Sequence, residues 1–276
     1  MLIQRVITAL VLLPGVLALV WFAPTQVLYA VFAGAGLLIA WEWAALMRWT
    51  EPARRWSYVA IVGAMLLAVG VVSQVPQSLS LLNVLTGLAV LWWLVVPTIF
   101  PGFPGNLQRN PPSALALGML GVVLIASTVS ALAQLHAMHN GPLRLLFVLF
   151  LVFAADTGAF LAGRSLGRHK LAPGISPGKT VEGAIGGVVL CALWALTAGV
   201  YVFEVVGAQV LVLVGLSIVV ALASIVGDLT ESMFKRMVGI KDSGTLLPGH
   251  GGILDRVDSI LAAAPVMLCG LYLTGL

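Results

Sequence analysis

Long apolar runs alternate with short polar or proline-rich breaks along almost the whole chain. A helix needs roughly 20 mostly apolar residues to cross the hydrocarbon core of a bilayer. Within hydrocarbon the backbone must satisfy its own hydrogen bonds, so runs of this length form helices. The predicted spans are 6–22, 26–47, 56–73, 79–100, 113–135, 143–163, 182–203, 207–227 and 259–276. The pattern predicts an all-α, polytopic transmembrane protein with about nine spans, and we treat the first run as a retained helix rather than a cleaved signal.

Composition supports the same class of protein. The 276 residues are 61% hydrophobic and 9% charged, with a mean hydropathy of +1.09. A soluble domain carries about a quarter charged residues, so lipid must cover most of this surface. Cys191 and Cys269 lie inside apolar runs. We interpret them as small buried hydrophobic residues rather than as a disulfide or a metal site.

Basic residues predict the orientation. If the N-terminus is cytoplasmic and the spans alternate, every Lys and Arg of the chain except Arg144 falls on the cytoplasmic side. Most charged residues lie in two cytoplasmic loops, 164–181 and 228–258, which are longer than a turn between helices requires. Long loops in compact proteins are usually functional. We therefore divide the chain into N-terminal transmembrane helices, 1–112, and a C-terminal catalytic region, 113–276.

The second loop mixes acidic and basic side chains at high density. Carboxylates bind hard divalent cations, whereas Lys and Arg bind phosphate oxygens. Asp228 is expected at the end of the eighth helix, and Asp255 and Asp258, three residues apart, share one face if the ninth helix begins before them. Two helix ends would then present three carboxylates to one ion, with Lys235 and Arg236 at the depth of a lipid phosphate. The alternative is a solvated, salt-bridged loop.

Two further features of the sequence suggest ligand contacts. The Gly249–Gly252 run lets the backbone approach a ligand, and His250 could donate to a phosphate; the alternative is a plain turn. Asp156 lies inside an apolar span, where an ionisable group normally faces a polar cavity or a partner. Glu42, between two tryptophans, is interpreted as an interfacial residue whose carboxylate reaches toward water.

The first loop contains a polar stretch, Ser176–Thr180, just ahead of the seventh helix. We expect a tight turn in which Lys179 suits a nucleotide phosphate. The alternative is a helix start with Thr180 as its N-cap. A Walker A loop is excluded, because the residue five positions before Gly178 is Pro173.

At these residues the chain resembles the phosphatidate cytidylyltransferases, also called CDP-diacylglycerol synthases. The segment Ser232–Asp258 looks like the family signature, and Ser176–Gly183 resembles a second family motif. The resemblance implies that CTP and phosphatidate give CDP-diacylglycerol and pyrophosphate. It also implies Mg²⁺ with the option of a second cation, often a homodimer, and a cavity open to the cytoplasm and to the lipid bilayer.

The resemblance also implies roles for single residues. Asp228 and Asp255 are expected as metal ligands, with Asp258 near them. The catalytic set is completed by Lys235, Arg236, Lys241, Asp242 and His250, and the other ligand contacts are Ser176, Lys179, Thr180, Glu182, Asp156, Gly251 and Gly252. We expect a multi-pass protein of the bacterial plasma (inner) membrane, with its active site facing the cytoplasm and no nucleic-acid partner.

Three other classes of protein are less consistent with the sequence. A transporter of an anionic solute would more often show paired repeats and helices broken near the midplane. A phosphoalcohol transferase acting on a CDP-lipid would carry the DG-x2-AR-x8-G-x3-D-x3-D pattern, which does not appear. A membrane scaffold would have no need for the acidic and basic loop.

Arg236→Ala is expected to weaken use of the lipid substrate, because a guanidinium binds phosphate oxygens strongly. The measurement is the rate of pyrophosphate release at increasing phosphatidate concentration. An unchanged rate at every phosphatidate level would contradict this role of Arg236.

Overall fold

The computed structural model describes residues 13–75, 79–246 and 251–276. Within these ranges eight helices are long and apolar enough to cross a membrane, and a shorter apolar helix precedes them. The all-α polytopic fold is thereby confirmed. The predicted first span, 6–22, lies partly outside the described residues.

The helices follow the predicted apolar runs closely, and one short hairpin interrupts them. α4 is continued by a 3₁₀ segment, Val96–Gly102, and α8 is joined to α9 by a π-helical turn, Ala195–Gly199. The elements are α1 Leu13–Phe22, α2 Thr25–Leu46, α3 Pro52–Val72, α4 Leu79–Val95, α5 Gly105–Arg109, α6 Ala114–Ala137, α7 Gly141–Leu166, β1 Lys170–Ala172, β2 Ser176–Thr180, α8 Val181–Trp194, α9 Val200–Phe203, α10 Ala208–Val238 and α11 Leu254–Thr274.

α6 and α11 form the centre of the bundle. They are the most buried of the eight spanning helices, whereas α3, α4 and α8 expose large apolar side chains such as Leu67, Leu94 and Ile185. Exposed apolar surface of this extent needs lipid contact. Both cysteines are free thiols, and Cys191 is buried, as the sequence predicted.

The second functional loop is much shorter than the sequence suggested. α10 continues to Val238 instead of ending near residue 227, and α11 begins at Leu254 instead of 259. The charged residues do not end α10, because Lys235 pairs with Glu231 one helical turn earlier. The helix stops at Gly239, whose φ of 79° gives a left-handed C-cap. The loop proper is 239–253.

The first functional loop is a β-hairpin rather than a tight turn at 176–180. β1 and β2 are antiparallel, with Lys170 opposite Thr180 and Ala172 opposite Ser176. The turn lies earlier, where the Ile175 amide donates to the Ala172 carbonyl at 3.1 Å. The N-cap at Thr180 is confirmed, since its hydroxyl accepts from the Gly183 amide at 3.1 Å.

Two hydrogen bonds between distant segments show which loops lie at the same end of the helical bundle. Arg48, between α2 and α3, donates to the Met237 carbonyl near the end of α10 at 3.3 Å. Arg144, at the start of α7, donates to the Leu276 carbonyl at 3.2 Å. The loops predicted to be cytoplasmic therefore share one face here, and Arg144 lies with the C-terminus on the other.

α7 and α8 pack with their backbones close together. A Cβ added at Gly158 would collide with the Gly186 carbonyl, and one added at Gly187 would lie 2.7 Å from the Ala155 carbonyl. Small residues at such crossings let membrane helices approach closely. This contact fixes the distance between the two helices that carry Asp156 and the Thr180 cap.

Gly158→Val is expected to destabilise the bundle by about 1–3 kcal/mol, because the added side chain must push α8 away. Gly215→Val on α10 is the matched control, since nothing lies within 4 Å of a Cβ added there. Thermal unfolding of both variants in one detergent tests the prediction. Equal midpoints for the two variants would show that the close approach of α7 and α8 is not required.

Candidate active site at one face of the bundle

A cavity of ≈ 420 Å³ with a charged wall and an apolar wall opens between α7, α8, α10, α11 and the hairpin. Its polar and charged wall consists of Asp156, Arg164, Lys179, Thr180, Asp228 and Ser259. The apolar wall includes Phe160, which is 61% exposed and lies beside the guanidinium of Arg164, 6.0 Å from its ring centroid. The cavity therefore joins a charged interior to the exposed, lipid-covered surface of α7.

Lys179 lies at the centre of the charges in this cavity. Its ammonium forms an ion pair with Asp228, and both side chains are a little over one quarter exposed. Asp156 and Asp258 both interact electrostatically with Asp228 and with Lys179. Asp156 on α7 and Asp228 on α10 thus line the cavity, and Asp258 on α11 interacts with both without lining it.

The donor chemistry of this site fits a magnesium ion. Mg²⁺ prefers carboxylate oxygens. Asp156 and Asp228 line the cavity, and Asp258 interacts electrostatically with both. Among the residues that the structure describes, however, no three His, Cys, Asp or Glu side chains form a ready-made metal group. A bound ion would therefore have to draw these carboxylates closer together.

A second and more buried charged group lies between α10 and α11, nearer the loop end of α10. The Lys235 ammonium is 2.6 Å from Glu231 Oε2 and 2.7 Å from Asp255 Oδ1. All three side chains are buried, with 13% of Lys235, 3% of Glu231 and 7% of Asp255 exposed. Asp255 also accepts from the amides of Ser243 and Gly252, at 3.0 and 2.8 Å. The carboxylate of Asp255 is thus fixed on both oxygens.

The three predicted metal ligands divide between these two groups. Asp228 and Asp258 interact at the cavity, whereas Asp255 has its described contacts with Lys235 and the loop amides. Asp228 also lies inside α10 and not at its end, because that helix continues to Val238. A metal role for Asp255 stays a prediction, and so does a single ion shared by all three.

The other predicted residues of the second loop lie around these groups. Arg236, Lys241 and Asp242 are exposed at the same face. Gly251 has a φ of 82°, and a Cβ there would lie 2.7 Å from Asp255 Oδ2. Glycine therefore meets both a backbone and a space requirement. His250 lies outside the described residues.

Glu182 is drawn to the base of the hairpin. Its carboxylate accepts from the amides of Arg168 and His169, and lies 2.6 Å from His169 Nδ1. Glu182 does not line the cavity, although its neighbours Gly183 and Thr180 do. Ser176 begins β2 and is partly exposed. A direct ligand contact by Glu182 or Ser176 stays a prediction.

The interpretation of Glu42 as an interfacial, water-facing residue was wrong. Its side chain is 2% exposed and accepts hydrogen bonds from Ser243 and from the first amides of α11. Glu231 was also missed as the partner of Lys235. The available signal was the same in both cases: a carboxylate in or beside an apolar run requires a partner.

These features define a membrane-embedded helical protein with a mixed-charge site at one end of the helical bundle. The model of the Cytidylyltransferase family matches residues 3–274. A phosphatidate cytidylyltransferase of Pseudomonas aeruginosa is 40% identical over 277 residues, covering 100% of this chain and 98% of the relative. One of Haemophilus influenzae is 37% identical over 291 residues, with 96% of each chain covered.

A third relative, a phosphatidate cytidylyltransferase of Staphylococcus aureus (strain COL), is 47% identical over 123 residues, 45% of this chain and 46% of its own. The chain belongs to the Cytidylyltransferase family. The resemblance stated from the two sequence motifs is thereby confirmed, and with it the class of enzyme, a membrane nucleotidyltransferase.

Lys235→Met is expected to destabilise the protein by about 3–5 kcal/mol, because it leaves two buried carboxylates without their shared ammonium. The matched control is Arg54→Met. Arg54 pairs with Glu51, but these side chains are 62% and 65% exposed, and exposed pairs contribute little. Unfolding of both variants by denaturant in detergent gives the comparison. A loss no larger for Lys235→Met than for Arg54→Met would contradict the buried ion-pair assignment.

Proposed function

We propose that this protein transfers CMP from CTP to phosphatidate, giving CDP-diacylglycerol and pyrophosphate for phospholipid biosynthesis. The observation that supports this function best is the cavity lined by Asp156, Asp228 and Lys179, with Asp258 close enough to interact electrostatically with all three. Such a site suits two anionic substrates and a divalent cation. Membership of the Cytidylyltransferase family supports the nucleotide chemistry, and the exposed apolar wall of the cavity supports a lipid acceptor.

The reaction needs charge neutralisation more than it needs a base. A phosphate oxygen of phosphatidate attacks the α-phosphorus of CTP, and the bond to the β,γ-pyrophosphate breaks. A phosphate monoester has a second pKa of about 6, so the nucleophile is already largely ionised at neutral pH. The main obstacle is the repulsion between the two anions, which preorganised positive charge lowers in the transition state.

The chain supplies that positive charge from several elements. Lys179 on β2 and Arg164 at the end of α7 line the cavity and would bind phosphate oxygens. Arg236 and Lys241 are exposed at the same face and would receive the phosphate groups of the substrates from water and lipid. Lys235 has a different task, since it holds Asp255 beside the cavity-lining start of α11.

Mg²⁺ is proposed as the cofactor, with Asp228 and Asp258 as ligands and Asp255 and Asp156 as neighbours. When bound, it would neutralise the phosphate groups and the leaving pyrophosphate. Asp228 and Lys179 pair with each other in the structure; with ligands present, Asp228 would hold the metal and Lys179 would bind a substrate phosphate. The charge distribution also leads us to propose that the site faces the cytoplasm in a bacterial plasma membrane.

Asp228→Asn is expected to lower turnover about 100-fold, because it removes a carboxylate that would hold Mg²⁺, and the transition state would lose the positive charge that the ion supplies. The assay is pyrophosphate release from CTP by purified protein in detergent, with and without phosphatidate, over a range of Mg²⁺ concentrations. Glu51→Gln is the control, since Glu51 is an exposed carboxylate beside Arg54.

Wild-type protein should release pyrophosphate only when phosphatidate and Mg²⁺ are both present. Release that ignores phosphatidate would count against the lipid substrate. A normal rate and a normal Mg²⁺ requirement in Asp228→Asn would count against the metal assignment.

A further inference from the structure

Glu42 links the N-terminal helices to the start of α11. It belongs to α2, yet Glu42 Oε1 accepts from the Ile253 amide at 3.0 Å and Oε2 from the Leu254 amide at 2.8 Å. Oε2 also accepts from the Ser243 hydroxyl at 3.0 Å. Both oxygens of a fully buried carboxylate are thus used to hold the two ends of the 239–253 loop together.

The surroundings of Glu42 leave no room for other side chains. A Cβ added at Gly244 would collide with Glu42 Oε1, and one added at Gly252 would collide with Glu42 Oε2. The backbone therefore closes directly around the carboxylate. Both positions are glycine in a chain that must bring its main chain this close to an acid.

The 239–253 loop connects Glu42 to the buried charged group of Asp255 and Lys235. Ser243 binds Glu42 through its hydroxyl, while its amide donates to both oxygens of Asp255. Asp255 in turn binds Lys235. A continuous series of contacts thus runs from α2 to the buried ion pair of α10 and α11, although Glu42 itself does not line the cavity.

The carboxylate of Glu42 lies at the N-terminus of α11, where a negative charge and a hydrogen-bond acceptor are both favourable. The first amides of a helix have no partner inside the helix, and its N-terminus favours a negative charge. Ile253 and Leu254 precede Asp255 by one or two residues and Asp258 by four or five. A shift of the helix start would therefore move both aspartates.

We propose that Glu42 is a positioning residue for the reaction: it fixes the start of α11 and Ser243, and through them the positions of Asp255 and Asp258. This inference rests on the proposed function only for its activity readout. Its structural part concerns the 239–253 loop and can be measured without any substrate.

The experiment compares three single variants, and the double variant of Glu42→Gln with Ser243→Ala, with the wild type in detergent. Glu42→Gln replaces one acceptor oxygen by an amide donor, which would face an N–H group. Ser243→Ala removes one contact and leaves the helix amides with their acceptor. Tyr58→Phe is the control, because it removes an equally buried hydrogen bond between α3 and α6, from the Tyr58 hydroxyl to the Gly118 carbonyl. Hydrogen exchange of peptides covering 241–246 and 251–256 is measured beside pyrophosphate release.

Glu42→Gln is expected to speed exchange in both peptides and to lower kcat about 10–100-fold, the usual cost of losing a group that orients a site. Tyr58→Phe should leave both exchange and kcat unchanged, whatever it does to the unfolding temperature. Ser243→Ala should lower kcat less than Glu42→Gln, and the double variant should be no slower than Glu42→Gln, since both act through one contact.

Unchanged exchange in Glu42→Gln would overturn the inference, as would faster exchange with a normal kcat. If Glu42→Gln does not fold, a normal kcat and normal exchange in Ser243→Ala would overturn it instead. If the wild type releases no pyrophosphate with CTP and phosphatidate, the proposed function fails, whereas the exchange comparison still reports on the role of Glu42 in the loop.

Discussion

The architecture depends on one constraint: a charge that leaves water must find its partner inside the protein. Lys235 satisfies it by lying between Glu231 and Asp255, and Glu42 satisfies it with backbone amides and a hydroxyl. Removing either partner would strand a charge at low dielectric. These interactions do more than tolerate burial, because each one ties α11 or its preceding loop to another helix.

The close packing of α7 against α8 positions the other charged residues of the site. α7 and α8 approach at Gly158 and Gly187, and the hairpin between them is capped onto α8 by Thr180. Lys179 stands next to that cap, so its position follows from the backbone rather than from a flexible loop. A rigid helix pair thereby presents an ammonium to carboxylates on α10 and α11.

The sequence predicted the helical spans well, because hydropathy alone decides what lipid can cover. It also located the two charged segments that supply Lys179 and Asp228 to the cavity. It failed where side chains compensate each other. The predicted span ended at residue 227 because Asp228, Glu231 and Lys235 interrupt the apolar run. In the structure the helix continues, since Glu231 and Lys235 pair with each other at i and i+4. The burial of Glu42 was not predicted, because its hydrogen-bond partners lie about two hundred residues further along the chain. No local sequence pattern identifies partners at that distance.

Lys235 and Arg236 are neighbours in sequence, but successive residues of an α-helix point about 100° apart. One is therefore directed into the protein and is 13% exposed, whereas the other is exposed on the surface. The two basic residues therefore have different roles. The compact ammonium of Lys235 pairs with buried carboxylates, and the planar guanidinium of Arg236 is exposed at the protein surface. The two cations are not interchangeable, because the interior offers two separate carboxylates at one point and the surface offers room for a broad, forked group.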